Sequence, residues 1–176
     1  MKIIILIAYL VLCLPLQSWV EIISKEGGFT ISFPEKPETK KVKTPTKVGE
    51  LITHAYICDR ENLRFTASYA EINIPTSISD KVTNNDIPKY YNNVLNGVIK
   101  RANNNNDFQV IYVKHTNYDK FPAVEIKMKL KNGSNFINKF ITANNKVYTI
   151  GIINKTSELN DDEIVNMFFS SFKLLN

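Results

Sequence analysis

The chain has 176 residues, with 22 lysines and arginines against 17 aspartates and glutamates, for a formal net charge of +5. That length fits one domain with a self-sufficient core, and a content of 44% hydrophobic and 22% charged residues excludes a disordered or fibrous chain. The basic excess is mild, and its three arginines, Arg60, Arg64 and Arg101, are scattered rather than gathered on one face among aromatics, which argues against nucleic acid as a partner.

The chain opens MKIIILIAYLVLCLPLQSW. One lysine, a 14-residue apolar run from Ile3 to Leu16 and the small Ser18 form the pattern of a secretory signal peptide. A spanning helix needs about 20 residues, so an uncleaved anchor is the weaker alternative. Cleavage is expected between Ser18 and Trp19, giving a leader of residues 1–18, one α+β domain over residues 19–176, and a periplasmic or secreted product. Cys13 suggests a lipoprotein, but the bulky Leu12 stands where such signals want a small residue. With Cys13 removed, Cys58 is the one cysteine left, so no internal disulfide can form. A lone cysteine is then either a buried apolar residue or a free thiol, and burial is the expectation here.

Residues 19–24 read as a short apolar strand, and Lys25-Glu-Gly-Gly28 as a turn. Phe29, Ile31 and Phe33 alternate with Thr30 and Ser32, giving a strand with one buried face that Pro34 stops. Residues 35–48, EKPETKKVKTPTKV, are expected to form an exposed extended loop. Its lysines, Lys36, Lys40, Lys41, Lys43 and Lys47, are a candidate interaction surface for an acidic partner or anionic lipid headgroups. Strands follow at residues 50–58 and 63–72, joined by the turn DREN. Ile87, Tyr90, Tyr91, Val94, Leu95, Val98 and Ala102 then recur at helical spacing, with Asp86 as cap. Gly97 inside that helix costs about 1 kcal/mol against alanine, which suggests close packing there. The asparagine run at residues 103–106 reads as a loop.

The last third alternates most cleanly. Val124, Ile126, Met128 and Leu130 interleave with Glu125, Lys127, Lys129 and Lys131 in a strand wet on one side. Asn132-Gly133 predicts a type I′ hairpin, strand 136–142 follows, Asn144-Asn145 is a second tight turn, and strand 147–153 completes an antiparallel meander. Asn160 to Glu163 place a cap and acidic residues at a helix start, and Ile164, Val165, Phe168 and Phe172 supply its buried side. The fold class is α+β: a mostly antiparallel sheet of seven or eight strands covered by two helices.

The combination of Trp19, GGFTISFP at residues 27–34, NKVYTIGI at 145–152 and MFFSSFKL at 167–174 resembles a family of small exported bacterial proteins of unassigned function. Their members begin near a Trp and "GGF-x-I-x-FP" and end in "FF-x-SFK". More distantly, the element order is similar to the PsbP-like fold, an antiparallel sheet sandwiched by helices. Known members of that fold are mostly accessory, assembly or partner-binding proteins, so the resemblance implies such a role and carries no catalytic motif with it.

The residues themselves carry little chemistry. His54 and Cys58, four apart on one strand, are about 13 Å apart at 3.3 Å per residue, too far for a thiol–imidazole dyad. His115 lies on another strand, and a metal site would need three distant positions to converge. Ser170-Ser171 sits between core phenylalanines of a helix, not on a G-x-S-x-G elbow. Asp161, Asp162 and Glu163 point to different helix faces. No nucleotide motif is present, and no cofactor is expected. The reading is an exported, non-catalytic binding or accessory protein of the bacterial envelope with a protein partner. The alternatives are an enzyme or redox protein using Cys58 or a histidine that converge only in three dimensions, and a lipid or small-ligand module with a pocket between sheet and helix.

Overall fold

The computed structural model describes residues 19–46, 49–72, 87–156 and 162–175. The leader, Cys13, Lys47, Asp86, Asn160 and Asp161 lie outside the described residues. Within them, ten strands and two helices form an α+β architecture with two antiparallel sheets.

The small sheet joins the two ends of the described chain. β1 (Val20–Ser24) and β2 (Phe29–Phe33) form a hairpin, and β10 (Lys173–Leu174) pairs with the other side of β2. The turn between β1 and β2 needs both of its glycines. Gly28 has φ +71°, in the left-handed region. A Cβ on Gly27 would sit 2.5 Å from Ser24 Oγ and 2.6 Å from the Phe29 ring. The Gly27 carbonyl accepts a hydrogen bond from Tyr148 Oη at 2.8 Å, which ties the turn to the large sheet.

That sheet has seven strands in the order β3-β4-β5-β9-β8-β7-β6. They are β3 (Glu38–Thr46), β4 (Gly49–Arg60), β5 (Leu63–Glu71), β6 (Phe108–Tyr118), β7 (Phe121–Leu130), β8 (Asn135–Ala143) and β9 (Lys146–Asn154). α1 (Ile87–Asn103) connects β5 to β6, and α2 (Asp162–Ser171) follows β9. One face of the sheet meets β2, α2 and the C-terminal segment around Phe29, Ile31, Phe33, Phe65, Tyr148 and Phe168, all essentially without solvent exposure. Aromatic rings lock it: Phe168 lies against Phe33, Phe65 and Trp19, and Phe172 against Phe29, Tyr118 and Tyr148. On the other face, Leu95 and Ala102 of α1 pack on Val124, Ile126 and Met128, with Phe136 and Phe140 beside them.

Several sequence expectations change. Residues 38–46 are a strand, not a loop. β3 pairs with β4 from Glu38↔Ile57 to Thr46↔Gly49, because backbone ladders form beside a strong partner strand whatever the side-chain polarity, and an edge position tolerates Lys and Pro45. The strand that carries His115, β6, has its extent hidden by a bulge. Phe108 and Val110 face α1, the register shifts at Ile111, and Val113 then resumes that face. One extra residue inverts the alternation that sequence reading depends on. Asn132-Gly133 does not form a type I′ turn, since only Gly133 of the two has positive φ (91°). Instead the Leu130 N–H donates to the Ser134 carbonyl at 2.8 Å across a wider loop, and Asn132 Oδ1 accepts from the Ser134 N–H at 3.0 Å. Asn144 and Asn145, at φ 50° and 58°, carry the paired left-handed geometry.

Candidate functional site

The sealed face absorbs most of the reactive groups. Cys58 is 2% exposed, and burial pushes its thiol pKa up, the opposite of what a nucleophilic thiolate requires. His54 stacks on Tyr69 with ring centroids 4.8 Å apart and planes 12° from parallel. Tyr69 Oη donates to Glu26 Oε2 at 3.2 Å, and burial together with that carboxylate raises its pKa to about 12, so the phenol is a donor rather than a base. His54, Tyr69 and Glu26 border a hollow of about 470 Å³ with Lys41, Glu50 and Glu71. His115 sits on β6, five strand positions from β4, roughly 24 Å away at about 4.8 Å per strand. His115 pairs with Val124, which faces α1, whereas His54 faces the small sheet. Cys58, His54 and His115 are not brought together. Among the described residues no group of three or more His, Cys, Asp or Glu is placed to hold a metal ion.

The other candidates have structural occupations. Ser171 Oγ donates to the Phe168 carbonyl at 2.7 Å and accepts from the Ser32 N–H at 3.0 Å, stitching α2 to β2. Glu163 is exposed at the start of α2. Asp59 takes a two-pronged bond from Arg64 (2.9 and 2.8 Å) and a contact from Lys155 at 2.8 Å, which hold its carboxyl well below the usual carboxylate range. Of the lysines proposed as a surface, Lys36 is exposed just before β3, and Lys40, Lys41 and Lys43 lie along it. Strand alternation puts Lys40 on one face and Lys41 with Lys43 on the other. Lys40 pairs with Glu38 at 3.5 Å and Lys43 with Glu50 at 3.0 Å, so a carboxylate stands beside each of these two.

Two features without a clear sequence signal stand out. The first is a groove of about 410 Å³ on the α1 face. α1 packs chiefly on β7, β8 and β6, and among the described residues the β4-β5-β9 part of that face is less fully covered. Pairing places Thr53, Ala70 and Val147 in one row across the sheet, and Ser68, Thr149 and Phe140 in the next. Tyr90, Val94, Gly97 and Val98 form the helix wall, Arg101 stands at one end, and Glu50 and Glu71 at the other. Gly97 does not pack closely: among the described residues nothing lies within 4 Å of where its Cβ would be. The second feature is the outer margin of β6. Among the described residues no strand pairs with that side, and Ile111 is 49% exposed, with Tyr112 beside it.

A scan against protein-family models finds no match, and a search of curated proteins finds none either. Among solved structures, the chain is similar to the solution structure of cyanobacterial PsbP (CyanoP) from Synechocystis sp. PCC 6803. The TM-score is 0.51 at 16% identity, covering 92% of this chain and 95% of that one. The fold is PsbP-like. At that identity the likeness concerns the fold and transfers no site residue. No helix among the described residues is long and apolar enough to cross a membrane.

Proposed function

We propose that this chain is an exported, non-catalytic accessory protein of the bacterial envelope that works by binding an extended segment of a partner protein. Residues 1–18 are the leader in this reading, and Trp19, the first residue after it, is already part of the aromatic core. The likeness to a PsbP protein supports an accessory role by analogy of fold, and the structural occupations of Cys58 and His54 favour binding over catalysis.

The observation that carries the proposal is the β6 margin. It offers an eleven-residue strand with sparse charge, Lys114 and His115, and with exposed Ile111 and Tyr112. An extended segment can add to such an edge through main-chain hydrogen bonds, with side-chain contacts setting selectivity. The opposite margin, β3, is guarded by lysines and Pro45.

A photoreactive residue at position 111, and separately at position 42 on β3, tests this in envelope extracts. The expected result is one discrete adduct from position 111 that is absent from position 42. Ile111→Lys should abolish capture by a second probe on β6. Equal adducts from both margins, or no adduct across growth conditions, would contradict the proposal.

A further inference from the structure

We infer that the groove between α1 and the β4-β5-β9 part of the large sheet is a binding site for a single-chain amphiphile with a carboxylate head, a fatty-acid type of ligand. This site is separate from the β6 margin and does not depend on it.

Size and lining set the class of ligand. A volume of about 410 Å³ lies within the range of small-molecule sites. From Tyr90 to Arg101 the helix wall rises through eleven steps, about 16 Å at 1.5 Å per residue, so the space is long and suits an extended chain. Val94, Val98, Phe140 and Val147 supply apolar walls, while Thr53, Ser68 and Thr149 add hydroxyls on the sheet side. These side chains are half-buried, neither closed into the core nor fully exposed.

Charge sets the direction. Among the described residues no carboxylate forms an ion pair with Arg101, whereas Glu71 stands at the other end beside Glu50, whose carboxylate is already paired with Lys43. An anionic head is attracted to the Arg101 end, where guanidinium–carboxylate geometry allows two parallel hydrogen bonds, and repelled from the other. Gly97 is the independent observation. A glycine in a helix interior is unfavourable, and here no neighbouring atom requires its missing side chain. Its position on the groove gives it a role: it keeps the helix wall low along the middle of the channel.

Calorimetric titration of the full mature chain with monomeric laurate tests the assignment, with dodecanol and dodecylamine as uncharged and cationic counterparts. Laurate is expected to bind one per chain, and decanoate about tenfold more weakly because two fewer methylenes are buried. Gly97→Leu, which fills the channel from a position with open space around it, should weaken laurate at least tenfold while circular dichroism stays native. Arg101→Gln should weaken laurate about tenfold and leave dodecanol unchanged. Ile111→Lys on β6 should leave laurate affinity intact. Absence of laurate binding, wild-type affinity in folded Gly97→Leu, or dodecylamine binding as tightly as laurate would each overturn the inference. Equal losses for laurate and dodecanol in Arg101→Gln would overturn the carboxylate assignment.

Discussion

The two faces of the seven-stranded sheet are built to different degrees of closure. On one, β2, α2 and the C-terminal segment press phenylalanines into contact with almost no exposed area, and the residues a chemist would first suspect, Cys58 and His54, are absorbed into that packing or its border. On the other, α1 buries Leu95 and Ala102 against β7 but leaves a channel beside them. The difference separates the thiol from open space, while His54 and Tyr69 border a second hollow at the margin of the closed face. The channel is lined by valines and hydroxyls, and the thiol is in the core.

That contrast can be broken most forcefully at Phe168, which touches Trp19, Phe33 and Phe65. Phe168→Ala should cost about 3–5 kcal/mol in denaturant unfolding, as expected for an aromatic truncated in a closed core. Val94→Ala on the groove wall should cost about 1 kcal/mol or less, since its side chain is only partly buried. Equal losses would mean that the two faces are equally closed.

Titration sharpens the same comparison. Burial pushes Tyr148 up to about 12, and Tyr69 reaches about 12 through burial and Glu26. Both phenols therefore hold their protons more tightly when folded than the unfolded value of about 10. Their contribution is complete below pH 10 and is lost as pH rises from about 10 to 12. Stability should be level between pH 7 and 9 by these groups and fall over that window. Tyr148→Phe should flatten part of the fall, since the Tyr148 hydroxyl is bonded to the Gly27 carbonyl. An unchanged slope in that variant would remove Tyr148 from the account.

The smallest expected effect lies in the open channel. Gly97→Ala should raise stability by about 1 kcal/mol through helix propensity, with no clash to offset it. A loss of stability would show that position 97 packs against something after all.

Much of this was legible in sequence where side-chain alternation is simple. β2, β5, β7, β8 and β9, both helices and the α+β class follow from apolar spacing, and burial of Cys58 follows from the habit of lone cysteines to sit in cores. β3 was not legible because its pairing is dictated by β4, and its lysines need no core to face. β6 was legible only as the strand that carries His115, and its extent was not, because the bulge at Ile111 inverts its pattern midway. The paired left-handed turn falls at Asn144-Asn145 rather than at Asn132-Gly133, which closes a wider loop than its dipeptide suggests. Gly97 was visible as an anomaly, but only the arrangement of α1 over the sheet shows that it borders a channel. The groove itself depends on which strands α1 leaves uncovered, and no local pattern encodes that.

The account rests on the sealed face holding no working site, and the Cys58 thiol reports on this directly. Its reaction with an excess of thiol reagent should be followed at neutral pH in the folded chain, beside the unfolding rate measured independently. The account predicts labelling no faster than global unfolding allows, because the thiol is 2% exposed and its pKa is raised by burial. Labelling of the native protein at or above the rate of a free model thiol would contradict it and return Cys58 to the active chemistry of the molecule.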